Sequence, residues 1–248
     1  MMNKTKIEWT EQTWNPTTGC DKVSAGCKNC YAENMAKRLQ AMGASGYENG
    51  FRLSLMEHRL EQPTKRKTAT TYFVNSMSDM FHENIPFSYI DKIFNTIKKT
   101  PQHRYQILTK REKRLKKYFE SRKVPKNVWL GVTVENITEG IPRIEKLTEI
   151  DAKIRFLSIE PLLEDLGNID LKNIHWVIVG GESGNRARKM NESWVENIKN
   201  QCKKQDVAFF FKQWGTWGAD GKKGNKQDNG RLLQGRTWDS MPQHDMGN

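Results

Sequence analysis

The sequence predicts a parallel α/β fold, a full or partial (β/α) barrel of about six to eight strands followed by an irregular C-terminal extension. Three observations carry this reading. Short β-rich runs alternate with longer helical patterns along most of the chain, and such alternation reads as a parallel sheet. Polar residues collect where the β-rich runs stop, which is the end at which parallel α/β folds build their sites. The 248 residues, of which 36% are hydrophobic, are enough for one large core.

The elements follow in order. A first β-rich run covers 6–9 and leads into a Gly-containing loop with Cys20, Cys27 and Cys30, after which a helical pattern covers 30–42. A second run, 71–75, precedes a helical pattern at 88–99, and a third, 105–108, precedes one at 110–121. The fourth run, 128–134, is followed by a helical pattern at 141–149 and the fifth, 154–159, by a sixth, 176–179. A helical pattern at 192–204 and a last run at 207–212 complete the series. About seven such units suit a full or partial barrel of the TIM type. From Gly215 the chain turns rich in Gly, Lys, Asp and Asn, with Leu232, Leu233, Trp238 and Met241 as apolar anchors. That division gives a barrel domain over 1–214 and an irregular extension over 215–248 packed on it, with 220–229 expected to be disordered.

Three of the four cysteines crowd into eleven residues, which argues for metal-binding thiols in a reducing compartment and against a disulfide framework. Thiolates suit zinc and iron–sulfur clusters alike. A structural zinc site needs a fourth ligand, to be drawn from Cys202, His58, His82, His103 or His175, none of which stands at a recognisable finger spacing. Cys202 falls in a helical repeat with Trp194 and Ile198 and reads as a core thiol. An iron–sulfur cluster on three cysteines instead leaves one iron open to a cofactor or substrate.

The strand-end residues form a ring of candidates around that loop. They are Asn75, Ser76 and Asp79, with His82 just beyond; Lys110 and Arg111; Thr133 and Glu135; Ser158 and Glu160; Gly180, Gly181, Glu182 and Ser183; and Lys212 with Trp214. Singly, many of these residue types also cap helices and make turns, and the tryptophan also packs cores. As a set at one end of a parallel sheet they read as a site, with Trp214 offering a stacking face and the basic residues suiting phosphates.

The formal net charge of +12 fits a polyanionic partner, and nine basic residues between 110 and 126 would give a helix there a positive face. A solvated outer helix explains the same run. No apolar stretch has the length of a membrane span and the first residues lack the apolar region of a signal peptide, so the expectation is a soluble, cytoplasmic protein without a membrane partner.

Longer motifs then add a resemblance. Trp14 to Cys20, Phe73 to His82, Leu108 to Arg111, Trp129 to Glu135, Phe156 to Leu162, Val179 to Gly184, Phe210 to Gly215 and Gly235 to Asp239, in that order, resemble the phage-associated three-Cys-motif family, whose members look like radical S-adenosylmethionine proteins. The cysteine spacing here is six residues then two, where that superfamily usually has three then two. The resemblance implies that Cys20, Cys27 and Cys30 hold a [4Fe–4S] cluster whose fourth iron takes S-adenosyl-L-methionine, giving a 5′-deoxyadenosyl radical. It places Asn75 and Ser76 at the methionine end of the cofactor, and Thr133, Glu135, Ser158 and Glu160 at the ribose or substrate. It also implies an electron donor such as flavodoxin or ferredoxin, room for a partner protein, and a radical enzyme that modifies or repairs nucleic acid or a nucleotide. A zinc- or cluster-stabilised nucleic-acid-binding protein without catalysis, and a redox or regulatory partner, are the competing readings.

Overall fold

The computed structural model describes residues 5 and 7–243. In chain order the elements are β1 (Gln12–Trp14), β2 (Thr17–Thr18), α1 (Tyr31–Ala41), β3 (Ser54–Leu55), β4 (Thr71–Val74), α2 (Phe87–Lys99), β5 (Arg104–Thr109), α3 (Glu112–Phe119), β6 (Val128–Thr133), α4 (Ile137–Thr148), β7 (Ile154–Ile159), β8 (Trp176–Gly180), α5 (Glu192–Lys204), β9 (Ala208–Gln213) and α6 (Lys226–Asn229). Seven strands make one sheet in the order β1-β4-β5-β6-β7-β8-β9, with every neighbouring pair parallel. Strand order never reverses, so the sheet is wound in one direction as in a barrel and unlike a doubly wound sheet. Among the described residues β1 and β9 do not pair with each other, and the result is a curled half-barrel. The short β2 and β3 form a separate antiparallel pair.

Alternation along the strands divides the core in two. One face, with Val74, Ile107, Leu130, Leu157 and Val179, packs against helical residues such as Ile90, Leu115, Ile144 and Ile198. The other carries Phe73, Trp129, Phe156, Trp176 and Phe210, which join Trp9 to fill the half-barrel's interior. A Cβ at Gly131 would lie 2.4 Å from the Phe156 ring, so glycine is what lets that ring cross β6. Two or four residues further along their strands the same inner face carries Asn75, Thr133, Ser158, Gly180 and Lys212. An aromatic plug at one end therefore gives way to a polar mouth at the C-terminal ends of the strands.

Two expectations are corrected. The first strand is Gln12–Trp14, not 6–9: Lys6 lies outside the described residues, and Trp9 stands in a turn with its ring edge-on to Phe73 and Trp176 at 4.8 and 5.9 Å. Ile7 and Trp9 mimic strand alternation because both pack on the interior. The segment 220–229 is ordered. Asn225 caps α6 by accepting from Gln227 N at 3.0 Å, and Asn229 donates to the Gly215 carbonyl at 2.9 Å. Further on, Asp239 bridges to Phe210 and covers the free edge of β9, while Trp176 Nε1 donates to the Ser240 carbonyl at 2.9 Å. No helix among the described residues is long and apolar enough to cross a membrane.

Candidate functional site

The cysteine loop lies over the polar mouth. Gly19 bridges to Ser78 just beyond β4, and its N–H donates to the Met77 carbonyl at 3.0 Å, which brings Cys20 to the C-terminal end of the sheet. At Gly19, φ is +81° and a Cβ would lie 2.1 Å from the Arg52 carbonyl oxygen, so this close turn requires glycine. Cys27 ends a short 3₁₀ turn and Cys30 stands at the N-terminus of α1.

Three acidic residues beyond alternate strands hold this loop at three points, each with its own cation. Asp79, beyond β4, takes hydrogen bonds from Phe81 N (2.9 Å), Thr109 Oγ1 (2.7 Å), Lys110 N (3.0 Å) and Arg111 NH1 (3.0 Å). Arg111 in turn reaches Cys20 Sγ at 3.5 Å and the Asp21 carbonyl at 3.3 Å. Glu135, beyond β6, is fully buried between Lys110 and Arg143 and accepts from Ser24 Oγ at 2.7 Å. Ser24 lies 3.6 Å from Cys27 Sγ. A Cβ at Gly26 would stand 2.4 Å from Glu135, so the loop can press on this carboxylate only through glycine. Glu182, beyond β8, is clasped by Arg188 at 2.5 and 2.9 Å and accepts from Asn29 Nδ2 at 3.0 Å, one residue before Cys30.

The electrostatics follow from burial opposed by pairing. Burial alone would raise the Glu135 carboxyl, but Lys110 and Arg143 overturn that and hold it below the usual carboxylate range. Glu182 behaves likewise against Arg188. Burial, reinforced by Asp79, pushes the Cys20 thiol up to about 11 against the pull of Arg111. Without a metal, Cys20 is therefore a neutral thiol at neutral pH.

The remaining expected residues sort by what they touch. Asn75, at φ 58°, donates its N–H to the Trp14 carbonyl, accepts from Thr17 N at 3.4 Å, and leaves a buried Nδ2 without a partner. Ser76 donates to Asn15 Oδ1 at 3.2 Å, and its carbonyl accepts from Tyr31 OH at 2.6 Å. Thr133 and Ser158 are register partners, both buried. Glu160 pairs with Lys212 at 2.8 Å and takes a longer bond from Gln213 Nε2, whose own Oε1 is buried without a partner. Gly180 borders Glu160, and Gly181 meets the Trp214 carbonyl so closely that a Cβ would come within 1.9 Å. Ser183 is within 3.4 Å of Gln213 Nε2.

Three candidates for contact with a substrate are placed otherwise. Arg111 is only 7% exposed and turns to Asp79 and Cys20. Trp214 is 2% exposed, with its ring edge-on to Phe211 and Nε1 bonded to the Leu232 carbonyl, so it offers no stacking face. His82 is buried, bonded through Nε2 to Asp21 at 3.0 Å, while its Nδ1 accepts from Asn84 N. The structure also brings in Ser24, Asn29 and Arg143, which the sequence did not mark, together with Arg188, a basic residue near the opening. Ser24 and Asn29 stand 111 and 153 positions from the strand-end acids they hold.

The donor set can be tested against the metals that suit it. Zinc binds four ligands at about 2.0–2.3 Å, and among the described residues no three His, Cys, Asp or Glu side chains are gathered to hold one ion. Three of the five candidates for a fourth zinc ligand are engaged elsewhere: His103 bonds the Pro63 and Arg66 carbonyls, His175 accepts from Arg155 N, and Cys202 lies on the buried face of α5, while His82 is bonded to Asp21 beside the loop. A four-iron cluster is larger than one ion and meets its thiolates further apart. Three cysteines on one loop, with Arg111 Nε and Asn75 Nδ2 buried and unmatched, give a soft donor set with spare N–H groups that suits an acceptor-rich group such as a cluster.

The basic run from 110 to 126 is less positive than its composition. Arg114 faces Glu83, Lys116 pairs with Glu149, and Arg122 makes two bonds to Asp91 at 2.8 and 3.1 Å. Lys113, Lys117, Lys123 and Lys126 are exposed.

Comparison with solved structures finds spore photoproduct lyase complexed with dinucleoside spore photoproduct, at TM-score 0.46 and 13% identity over 82% of this chain. A double mutant of that enzyme with bound AdoMet and the dinucleoside photoproduct aligns at TM-score 0.43 and 13% identity over the same share. The chain spans 64% of the length of both. No curated protein matches. A family profile matches residues 4–242, nearly the whole chain, and this protein accordingly belongs to the family described as proteins of unknown function, DUF5131.

Proposed function

We propose that this chain is an iron–sulfur enzyme of the radical S-adenosylmethionine type, acting on nucleic acid or a nucleotide. One observation carries the reading. Three thiols share a single loop, and that loop is tethered by three strand-end acid–base pairs over a mouth of polar residues. A site built only for stability has no need of that ring.

Cys20, Cys27 and Cys30 would hold a [4Fe–4S] cluster by three of its irons. Such a cluster supplies the electron that cleaves S-adenosylmethionine to a 5′-deoxyadenosyl radical. The chain's own residues bind and orient. Asn75 keeps a buried donor for the cofactor's carboxylate, and Ser76 stands beside it. Thr133, Ser158 and Glu160 supply hydroxyl and carboxylate partners suited to a ribose diol, with Lys212 holding Glu160 in place. The aromatic plug of Trp9, Phe73, Trp129 and Phe156 closes the far end against water. A nucleic-acid substrate is supported by the net charge of +12 and by the exposed lysines around α3. The motif resemblance adds a phage association.

The test is incubation of anaerobically purified protein with dithionite and S-adenosylmethionine. The reading expects 5′-deoxyadenosine, and expects it to vanish in Cys27→Ala while circular dichroism is unchanged. One zinc per chain and no cleavage would overturn it in favour of a metal-stabilised binding protein.

A further inference from the structure

Arg111 is unusual among the cations at the mouth because it turns inward. Its side chain is 5% exposed, NH1 donates both to Asp79 Oδ2 at 3.0 Å and to Cys20 Sγ at 3.5 Å, and NH2 donates to the Asp21 carbonyl at 3.3 Å. Nε is buried with no partner, so the guanidinium keeps one donor in reserve. Asp79 is fixed by Phe81 N, Thr109 Oγ1 and Lys110 N, and cannot swing away. Ser24, whose hydroxyl stands near Cys27, lies 2.7 Å from Glu135. Its hydroxyl proton goes to that carboxylate rather than to Cys27.

We infer that Arg111 and Asp79 form a buried charge pair that sets the reduction potential of the metal centre at Cys20. This rests on the cluster reading above. Reduction adds one electron, and the added negative charge is shared by the ligand sulfurs. A charged donor on Cys20 Sγ stabilises that state, and in a buried site the effect is little screened. Asp79 opposes it. Removing the arginine therefore does two things at once, deleting a hydrogen bond to sulfur and unmasking a carboxylate. Removing the aspartate's charge does the reverse. A pair that served only to brace the loop would not move the potential in opposite directions.

The experiment is a redox titration of the anaerobically reconstituted protein, followed by the electron paramagnetic resonance signal of the reduced cluster. Arg111→Met is expected to lower the midpoint so that the reduced-to-oxidised ratio at a fixed potential falls about tenfold or more, equivalent to about 59 mV for one electron. Asp79→Asn is expected to raise the midpoint, and Arg111→Lys, which keeps the charge, to stay within about threefold of the parent in that ratio. If Arg111→Met fails to load, Asp79→Asn decides: a raised midpoint supports the inference and an unmoved one overturns it. Equal midpoints in all loaded variants overturn it while leaving the cluster reading intact. A parent protein that takes up no iron and sulfide overturns the cluster reading itself.

Discussion

Glu135→Ala removes the middle tether of the cysteine loop and has a cost that can be worked from its surroundings. The carboxylate is 0% exposed and stands against Arg143, whose side chain is 4% exposed, and Lys110, whose side chain is 21% exposed. Truncation leaves the buried Arg143 guanidinium with the Thr133 carbonyl at 2.9 Å and the Glu112 carboxylate at 3.7 Å, and deprives Ser24 of its acceptor. Breaking a buried pair from one side costs about 3–5 kcal/mol, since the stranded charge keeps its desolvation penalty, and the longer contact to Glu112 brings the loss here toward the lower end. Lys110 can turn to water and adds little. Against a domain stability of about 5–15 kcal/mol this is a large fraction. Urea denaturation of the metal-free protein measures it. Arg143→Met in the Glu135→Ala background should recover part of the loss, because the stranded charge is gone, and the two single losses should exceed the double. A loss below about 1 kcal/mol, or strict additivity, would refute the picture of a buried pair anchoring the loop.

Two further outcomes follow from the geometry. Gly181→Ala forces a Cβ to within 1.9 Å of the Trp214 carbonyl oxygen, while at Gly180 the nearest contact is the Glu160 side chain at 3.3 Å. Urea midpoints should drop sharply for the first, by about 1–3 kcal/mol or more, and far less for the second; equal losses would contradict the close backbone approach. Burial holds the Cys20 and Cys202 thiols at about 11 and about 12, above the ordinary 9.0. The native metal-free protein thus keeps protons that the unfolded chain releases, so the stability these thiols contribute is full below pH 9 and is lost as pH rises from there through about 11 for Cys20 and about 12 for Cys202. Cys20→Ser should make that decline shallower, and an identical decline in the two proteins would remove Cys20 from its cause.

The sheet was legible because six of its seven strands carry enough β-rich sequence to show themselves, and α5 falls at 192–204 as the pattern predicts. β1 was not, because three residues, Gln12, Thr13 and Trp14, are too few for a period of two to register. The ring of strand-end residues was legible as a ring, since a parallel sheet puts all its C-terminal ends on one side. Their partners were not. Nothing in the sequence joins Asp79 to Arg111, or Glu182 to Asn29, because these pairs are made by the curl of the sheet and not by spacing along an element. For the same reason a Lys-Arg doublet after β5 reads as a pair of ligand-binding cations, while folding sends Lys110 to Glu135 and Arg111 to Asp79. Trp214 follows the same logic: its position suits a stacking platform, and the extension closes over it through the Leu232 carbonyl.

The central claim is that the three cysteines hold a cluster with one iron left open at the mouth. Its most direct test is the electron paramagnetic resonance spectrum of the anaerobically reconstituted, reduced protein, recorded with and without S-adenosylmethionine. About four irons and four sulfides per chain are expected, with a spectrum that changes on adding the cofactor, since its amino and carboxylate groups would take the open iron. Superimposable spectra, or a chain that binds a single zinc and no iron, would contradict it.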